Sequence, residues 1–492
     1  MEDKTMKKAI LLLCMAAGLM SCAKEVLNPE KETPQNEGVP MTFNMTVLET
    51  KAAKTGWVDG DKIYVFFNGL ETKYLMLERS SGAWTNTSGG GTLLDTDFSG
   101  LGTKTLTAVH FPVMVDVTFA DGKFSFTSGG KPVYNYYLFE TGKDYTVDGT
   151  TVTATLSMGK PADMVQIHVA GIQANVSDYT FGCTKIKPVA CASVGTDGAI
   201  TESVLQAGAR LSGIADADGG IFAGRLTKPD EAADYKFTVA SDANIYTLTR
   251  TGKTLTAGKM YNFPALTDGT NWTITAASDL YVDLGIEVGG KKIYWAKCNL
   301  GATIETDYGS YFSWGEVTGY TEGKTKFAWD AYYYGGATTL TKYCNLSSRG
   351  KDGFTDELTI LEKEDDAAYA AFGGKFRMPT KDECAELIAT KSNTAEYTWT
   401  WCNGSTEKYN DTTVKGWKIV KKVSGATLFL PVAGYREGTA SKQTGIEGFY
   451  WSSSLYLTNY PADAWSILLQ SNNPSSLYYQ RHYGFSVRPV SE

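Results

Sequence analysis

Short runs in which apolar and polar residues alternate fill the chain from Pro40 to about Leu266. They include MTFNMTVLE, DKIYVFFN, TLTAVHFPV, GKFSFTS, TATLSM, MVQIHVAGI, YKFTVA and IYTLTRTG, separated by Gly, Asp, Asn and Ser turns. A two-residue period between turn residues predicts antiparallel β-structure. No long amphipathic helix interrupts it. More than two hundred such residues exceed one ordinary sandwich, so the pattern predicts two stacked sandwiches, residues 40–160 and 161–268, with a boundary near Lys160. The stretch TDGTNWTITAASD then leads into a different part, residues 280–492, with eight of the eleven tryptophans. Its two helix signals are DDAAYAAFG and PTKDECAELIATK. In the second, Pro379 and Thr380 open the helix and Asp382 and Glu383 occupy its first turn. Short aromatic strands and long loops around these helices give an α+β expectation for this part and a mainly β chain as a whole.

The chain starts MEDKTMKKAILLLCMAAGLMSC. Lys7 and Lys8 precede an apolar run, Ala9 to Met20, that is too short to span a bilayer, and small Ser21 precedes Cys22. Residues 1–22 therefore read as an export signal. Leu19, Met20, Ser21 and Cys22 resemble a lipobox, which implies acylation of Cys22 and anchoring to a bacterial outer membrane. An ordinary cleaved signal with an incidental Cys22 is the plainer alternative. Each buried CH₂ of an attached acyl chain adds about 0.8 kcal/mol, so several chains hold firmly. Residues 23–39, rich in Lys, Glu, Pro and Asn, read as a flexible tether.

The 492 residues carry a net charge of −8 and a pI near 5.2. No segment concentrates the Lys and Arg that a nucleic-acid partner needs. Besides Cys14 and Cys22 there remain Cys183, Cys191, Cys298, Cys344, Cys384 and Cys402. Export permits disulfides, and Cys183 and Cys191 lie close enough in sequence to pair across a hairpin, although spacing does not determine pairing. His110, His168 and His482 are far apart and no CxxC occurs, so neither a structural metal site nor a cofactor is expected.

Two resemblances sharpen the picture. The segment GWVDGDKIYVF, Gly56 to Phe66, and the later TLTAGKMYNFPAL, Thr254 to Leu266, resemble the fimbrillin family. That resemblance implies an exported lipoprotein with two transthyretin-like sandwiches, trimmed and built into pili with other fimbrial subunits by donor-strand exchange. Trimming in that family follows an arginine after the first strand, here Met41 to Thr50. This sequence has no arginine before Arg79, which leaves Lys51 and Lys54 as candidate cleavage positions.

In residues 280–492, YVDLGIEV, IYWAKCNLGA, DYGSYFSWGE, GGKFRMPTKDE, LFLPVAGYREG, GFYWSSS and YGFSVRPV appear in that order. They resemble the major paralogous domain, a C-type-lectin-like unit also related in fold to formylglycine-generating enzymes. Most of these motifs read as scaffold, with aromatic residues that fill a core. Ligand-binding residues are expected in loops that such a scaffold presents. The candidates are Tyr332, Tyr333 and Tyr334, and a late loop with Asn472, Asn473, Tyr478, Tyr479, Gln480, Arg481 and His482. Aromatic faces stack on sugar C–H faces, while amide and guanidinium groups bond hydroxyls, so these loops point to glycan or a surface protein as partner.

Asn472, Asn473 and Pro474 echo a lectin calcium loop only in part, and no WND-like strand accompanies them. Cys384 and Cys402 lack the setting of the enzyme cysteine pair, and no Ser/His/Asp or Cys/His set stands out, so no catalysis is expected. The sequence reading is a fimbrial subunit with a lectin-like adhesive head, placed at the fibre tip. The alternative is a lipid-anchored outer-membrane protein that binds glycan for nutrient capture.

Overall fold

The computed structural model describes residues 38–48, 56–134, 137–457 and 460–492, and the fold is mainly β. Cys22, Lys51 and Lys54 lie outside the described residues. Among those described, no helix is long and apolar enough to cross a membrane.

The first region is built on the run Lys62–Phe67, which is nearly all apolar and buried on both faces. It lies at the centre of an antiparallel five-stranded sheet, in the order Ala83–Gly89, Tyr74–Ser80, Lys62–Phe67, Thr105–His110 and Leu138–Asp144. Ile63, Val65 and Phe67 face one core with Phe43, Leu75 and Val152, while Tyr64 and Phe66 face another with Val109, Phe124 and Phe126. A strand covered on both faces has no solvent side to make polar, which explains the unbroken run.

The first cover is a small sheet in which Thr42–Val47 runs parallel to Thr151–Leu156, itself paired with Thr146–Asp148. The second cover contains Asp116–Ala120 and Lys123–Thr127, completed by a hairpin from much later in the chain. Val189–Gly195 pairs with Lys123–Thr127, Ser193 opposite Ser125, and Ile200–Val204 closes the edge. Strands from both sides of Lys160 thus share one sheet.

The second region packs two further sheets face to face. One has the order Ile186–Lys187, Gly219–Leu226, Met164–Ala170, Met260–Phe263, the last pair parallel; the other runs Leu211–Ser212, Thr180–Gly182, Ala232–Ala240, Asn244–Thr254, Thr273–Ala276. Ile167, Val169, Phe222, Phe237 and Val239 interdigitate between them. Trp272 is buried in this core, and its indole N–H donates to the Pro264 carbonyl at 3.0 Å. The segment between the β regions and the C-terminal part therefore adds an edge strand and an anchor to the second region.

Both predicted helices form in the C-terminal part. Asp366 caps Ala367–Phe372 by accepting from the N–H groups of Ala368 and Tyr369. Thr380 caps Lys381–Ala389 in a capping box with Glu383. Around them stand three three-stranded sheets and a short hairpin, and Val490–Ser491 returns to pair with Lys291–Ala296.

All six described cysteines are free thiols. Cys183 lies in the core of the second region and Cys191 between two sheets of the first, so the expected hairpin disulfide does not form. The turn and strand between them carry the chain from one core to the other. Burial pushes the Cys183 thiol up to about 12.

Candidate functional site

The tyrosine cluster leads into the molecule. Tyr332 is buried; its hydroxyl donates to the Trp314 carbonyl at 2.7 Å and accepts from Arg481 Nε at 2.9 Å. Tyr334 is buried too, and its hydroxyl donates to Asp365. Only Tyr333, 51 % exposed, faces outward. Asp365 also accepts from the Tyr343 hydroxyl at 2.7 Å, Lys342 Nζ at 2.6 Å and Gln206 Nε2 at 3.2 Å. Burial, followed by the charge of Asp365, holds the Tyr334 hydroxyl far above its ordinary range, so it remains a donor.

This network marks the joint between the second β region and the C-terminal part. Gln206 donates to the Gly315 carbonyl at 2.6 Å and accepts from the Val317 N–H at 3.1 Å. Four residues on, buried Arg210 donates to the Tyr369 and Ala371 carbonyls of the helix Ala367–Phe372 and to the Thr180 carbonyl, each at 2.9 Å. The Tyr369 carbonyl already accepts from the Gly373 N–H at 2.7 Å, so the guanidinium adds a second bond there, donates to the Ala371 carbonyl and meets the negative end of the helix dipole. Burial lowers the Arg210 pKa to about 9, which leaves it charged at neutral pH. The backbones also meet closely: a Cβ on Gly373, whose φ is +63°, would lie 2.5 Å from Thr180 Oγ1.

The predicted late loop is a strand. Pro474–Gln480 forms the edge of a sheet with Asp463–Leu469 and Gly448–Leu455. Alternation separates its tyrosines. Tyr479 packs inward against Phe449 and Phe485 at 5.3 and 5.4 Å between ring centres. Just past the strand, Arg481 is fully buried, with Trp314 4.9 Å below the guanidinium and the Lys342, Tyr343 and Pro461 carbonyls as acceptors. His482 is buried against Trp329, at 4.7 Å. Tyr332, Tyr334, Arg481 and His482 are therefore interior groups; Tyr332, Tyr334 and Arg481 place their polar atoms on partners inside the protein, and the His482 ring is packed away from the surface.

Asn472 and Asn473 are exposed in the preceding turn, where the Asn472 carbonyl and Asn473 Oδ1 accept from Lys391 Nζ at 3.1 and 2.8 Å. They tie the turn to the end of the helix Lys381–Ala389. Gln480 is exposed at the strand end.

Tyr478, 43 % exposed, belongs to an aromatic corner. Its ring stacks on Tyr456 at 3.7 Å and 13°, and Trp465 meets both rings steeply, at 72° to Tyr456 and 83° to Tyr478. Trp465 is the cross-strand partner of Tyr478 and also walls a pocket of about 210 Å³ lined by Lys381, Asp382, Ser466 and Ser476. A flat aromatic step beside a small hydroxylated pocket can stack one ring and bond the hydroxyls of its neighbour. Tyr456 and Trp465 are absent from the residues expected to bind ligand. The repeated aromatics of LYLTNYPADAW held the signal, but only the hairpin brings them onto the face of Tyr478.

Residues 401–490 match a family described as a domain of unknown function, DUF8237. That span includes Tyr456, Trp465 and Tyr478. No curated protein matches the chain. Among solved structures, a fimbrial protein from Bacteroides ovatus is similar at 10% identity, covering 92% of this chain and 99% of its own, with a TM-score of 0.22. A protein described as a candidate cell-adhesion protein, also from Bacteroides ovatus, shares 16% identity over 49% of this chain and 96% of its own, TM-score 0.27. The fimbrial anchor protein Mfa2 from Porphyromonas gingivalis shares 12% identity over 42% of this chain and 77% of its own, TM-score 0.21.

Proposed function

We propose that this chain is a fimbrial subunit of adhesin type, exported as a lipoprotein through Cys22, whose C-terminal part is a lectin-like head that binds glycan at the Tyr456, Trp465 and Tyr478 corner. On this reading the two β regions within residues 40–268 are transthyretin-like sandwiches that join a fibre, the first completed by Val189–Gly195 and Ile200–Val204 from beyond Lys160, and residues 280–492 form the head. The observation that carries the fibre half is the strand Thr42–Val47. Among the described residues it is an edge strand of its sheet and pairs with Thr151–Leu156 alone; it buries Phe43 in the core, with Met45 and Val47 partly buried beside it. Its removal would expose a row of unpaired backbone groups and an apolar groove, which a strand from another subunit can fill.

The bulk of the head at the C-terminal end suits the fibre tip. The buried Gln206 and Arg210 contacts support a head that transmits load to the shaft without a loose joint. Of the residues expected to meet ligand, Tyr333, Asn472, Asn473, Tyr478 and Gln480 have the exposure that this role requires.

N-terminal sequencing of protein from sheared surface fibres and from membranes tests the assembly. Fibre protein starting near Ala52 or Thr55, after Lys51 or Lys54, is the expected result. Chain found only in membranes with a blocked Cys22 would overturn fibre incorporation in favour of a permanently anchored glycan-binding lipoprotein. The absence of an arginine before Arg79 is the observation that favours this second reading.

A further inference from the structure

The aromatic corner is one end of a longer face. The helix Lys381–Ala389 packs along the edge strand Pro474–Gln480 and runs in the opposite direction. Its first turn lines the small pocket together with Trp465 and Ser476. Lys391, just past its last turn, donates to the Asn472 carbonyl and to Asn473 Oδ1 at the start of the strand, at 3.1 and 2.8 Å. Ala385 lines the pocket and Ala389 follows one turn later on the same side of the helix. Both are exposed, and their short side chains leave the space between the two ends open.

A second aromatic step stands at the Lys391 end. Trp401 is half-buried and packs on its cross-strand partner Trp417, 5.4 Å between ring centres, while Lys391 Nζ lies 4.4 Å over the Trp417 ring. Their indole N–H groups divide the tryptophans from Trp401 onward into two kinds. Trp417 and Trp451 are buried and donate to the Gln470 and Phe312 carbonyls, at 2.9 and 2.8 Å. Trp401 and Trp465 are half-buried, and their N–H groups reach the surface with no partner among the described residues. A tryptophan with a ring edge and an unpaired donor at the surface offers stacking and a directed hydrogen bond together. Because Lys391 holds Asn473 Oδ1, the two amide hydrogens of that exposed side chain remain for a ligand as well.

From the two steps and the open line between them we infer that the head binds an extended stretch of a neutral β-1,4-linked glycan, with Tyr478 and Trp465 at one end and Trp401 and Asn473 at the other. The inference rests on the glycan-binding reading of the Tyr478 corner and adds the length and shape of the ligand. Five residues of extended chain separate Asn473 from Tyr478, about 17 Å at about 3.4 Å per residue, a distance that one sugar ring does not span and a row of about four does. Equatorial β-1,4 bonds keep such a row straight and present its C–H faces to aromatic rings. Lys381 and Asp382 of the pocket pair with each other at 2.5 Å, which suits a neutral sugar there.

Isothermal titration of the exported chain, residues 23–492, tests this with the disaccharide and the tetrasaccharide of β-1,4-glucan, β-1,4-mannan and β-1,4-xylan. At least one tetrasaccharide should bind about ten-fold more tightly than its own disaccharide, because only the longer chain reaches both aromatic steps. For that pair, Y478A should weaken both sugars. W401A, and N473A at an exposed turn position, should each bring the tetrasaccharide down to the affinity of the disaccharide. Equal affinities within all three pairs, no binding of any tetrasaccharide at millimolar concentration, or an undiminished preference for length in both W401A and N473A would overturn the extended site. Glycan binding that is lost in Y478A yet indifferent to chain length would remove this inference and leave the corner standing, whereas a chain that binds nothing on an array of host and dietary glycans would remove both.

Discussion

Arg210 Nη2 donates to the Ala371 carbonyl at 2.9 Å, across the joint between a β-sandwich edge and a helix of the C-terminal part. All the acceptors bonded to this guanidinium are oxygen atoms of uncharged groups, four of them backbone carbonyls of Thr180, Thr238, Tyr369 and Ala371. Its contribution is thus to satisfy buried acceptors on both sides of the joint at once. An R210M variant keeps much of the apolar stem and removes the donor from these acceptors, of which the Tyr369 carbonyl keeps another, the Gly373 N–H. A buried polar group left unpaired costs about 1–3 kcal/mol, so a loss of roughly 3 kcal/mol is expected. Chemical denaturation reads the loss, and limited proteolysis should show new cleavage near residues 205–211.

Asp365 is the acceptor at the centre of the same joint. Replacing it with alanine leaves the Tyr334 and Tyr343 hydroxyls, Lys342 and Gln206 without their shared partner. Loss of one member of a buried charged network costs about 3–5 kcal/mol. D365A should therefore unfold the C-terminal part at a lower denaturant concentration than R210M does. Equal midpoints would mean that the network is not centred on Asp365.

His482 makes the C-terminal part sensitive to acid. Burial, then the nearby Lys324, lowers its pKa from 6.5 to about 4. As pH falls from 6.5 towards 4 the unfolded chain takes up a proton that the folded chain refuses, so stability is lost across that window. The effect is on the order of 2 kcal/mol. Asp366 acts in the opposite sense: burial raises its pKa to about 6, so between about 6 and 4 the folded chain takes up its proton first. The difference between the wild type and H482Q isolates the histidine. Stability measured from pH 7 to pH 4.5 should fall less steeply in H482Q.

Local chemistry made some elements legible in the sequence. Asp366 and Thr380 sit where capping chemistry places the starts of the two helices, and the alternating runs before Leu266 became strands. Long-range pairing was not legible. Nothing in the sequence near Val189 states that this strand, besides forming a hairpin with Ile200–Val204, joins Lys123–Thr127, and the pairing separates Cys191 from Cys183. The site was legible in part. Aromatic and polar residues close together in sequence mark both glycan loops and buried networks, and burial distinguishes them. In SSLYYQ, the two-residue period of a strand turns Tyr478 outward and Tyr479 inward, a division that a loop reading does not provide. Arg481 escaped recognition as an interior group because a buried arginine is recognised by its acceptors, here carbonyls of residues 342, 343 and 461.

In the proposed function, glycan binding falls to the aromatic corner. Aromatic contacts are worth about 0.5–1.5 kcal/mol beyond the area they bury, so Y478A should weaken a bound glycan about ten-fold once lost contact area is included. Y456A, which removes the ring beneath, should act in the same direction, because the exposed ring then lacks its support.

The most direct measurement is binding of residues 23–492 to an array of host and dietary glycans, repeated with Y478A at matched thermal stability. The predicted result is a selective glycan signal that falls about ten-fold in Y478A. A chain that binds no glycan, or that binds equally well without the Tyr478 ring, would contradict the assignment of the corner as the adhesive site.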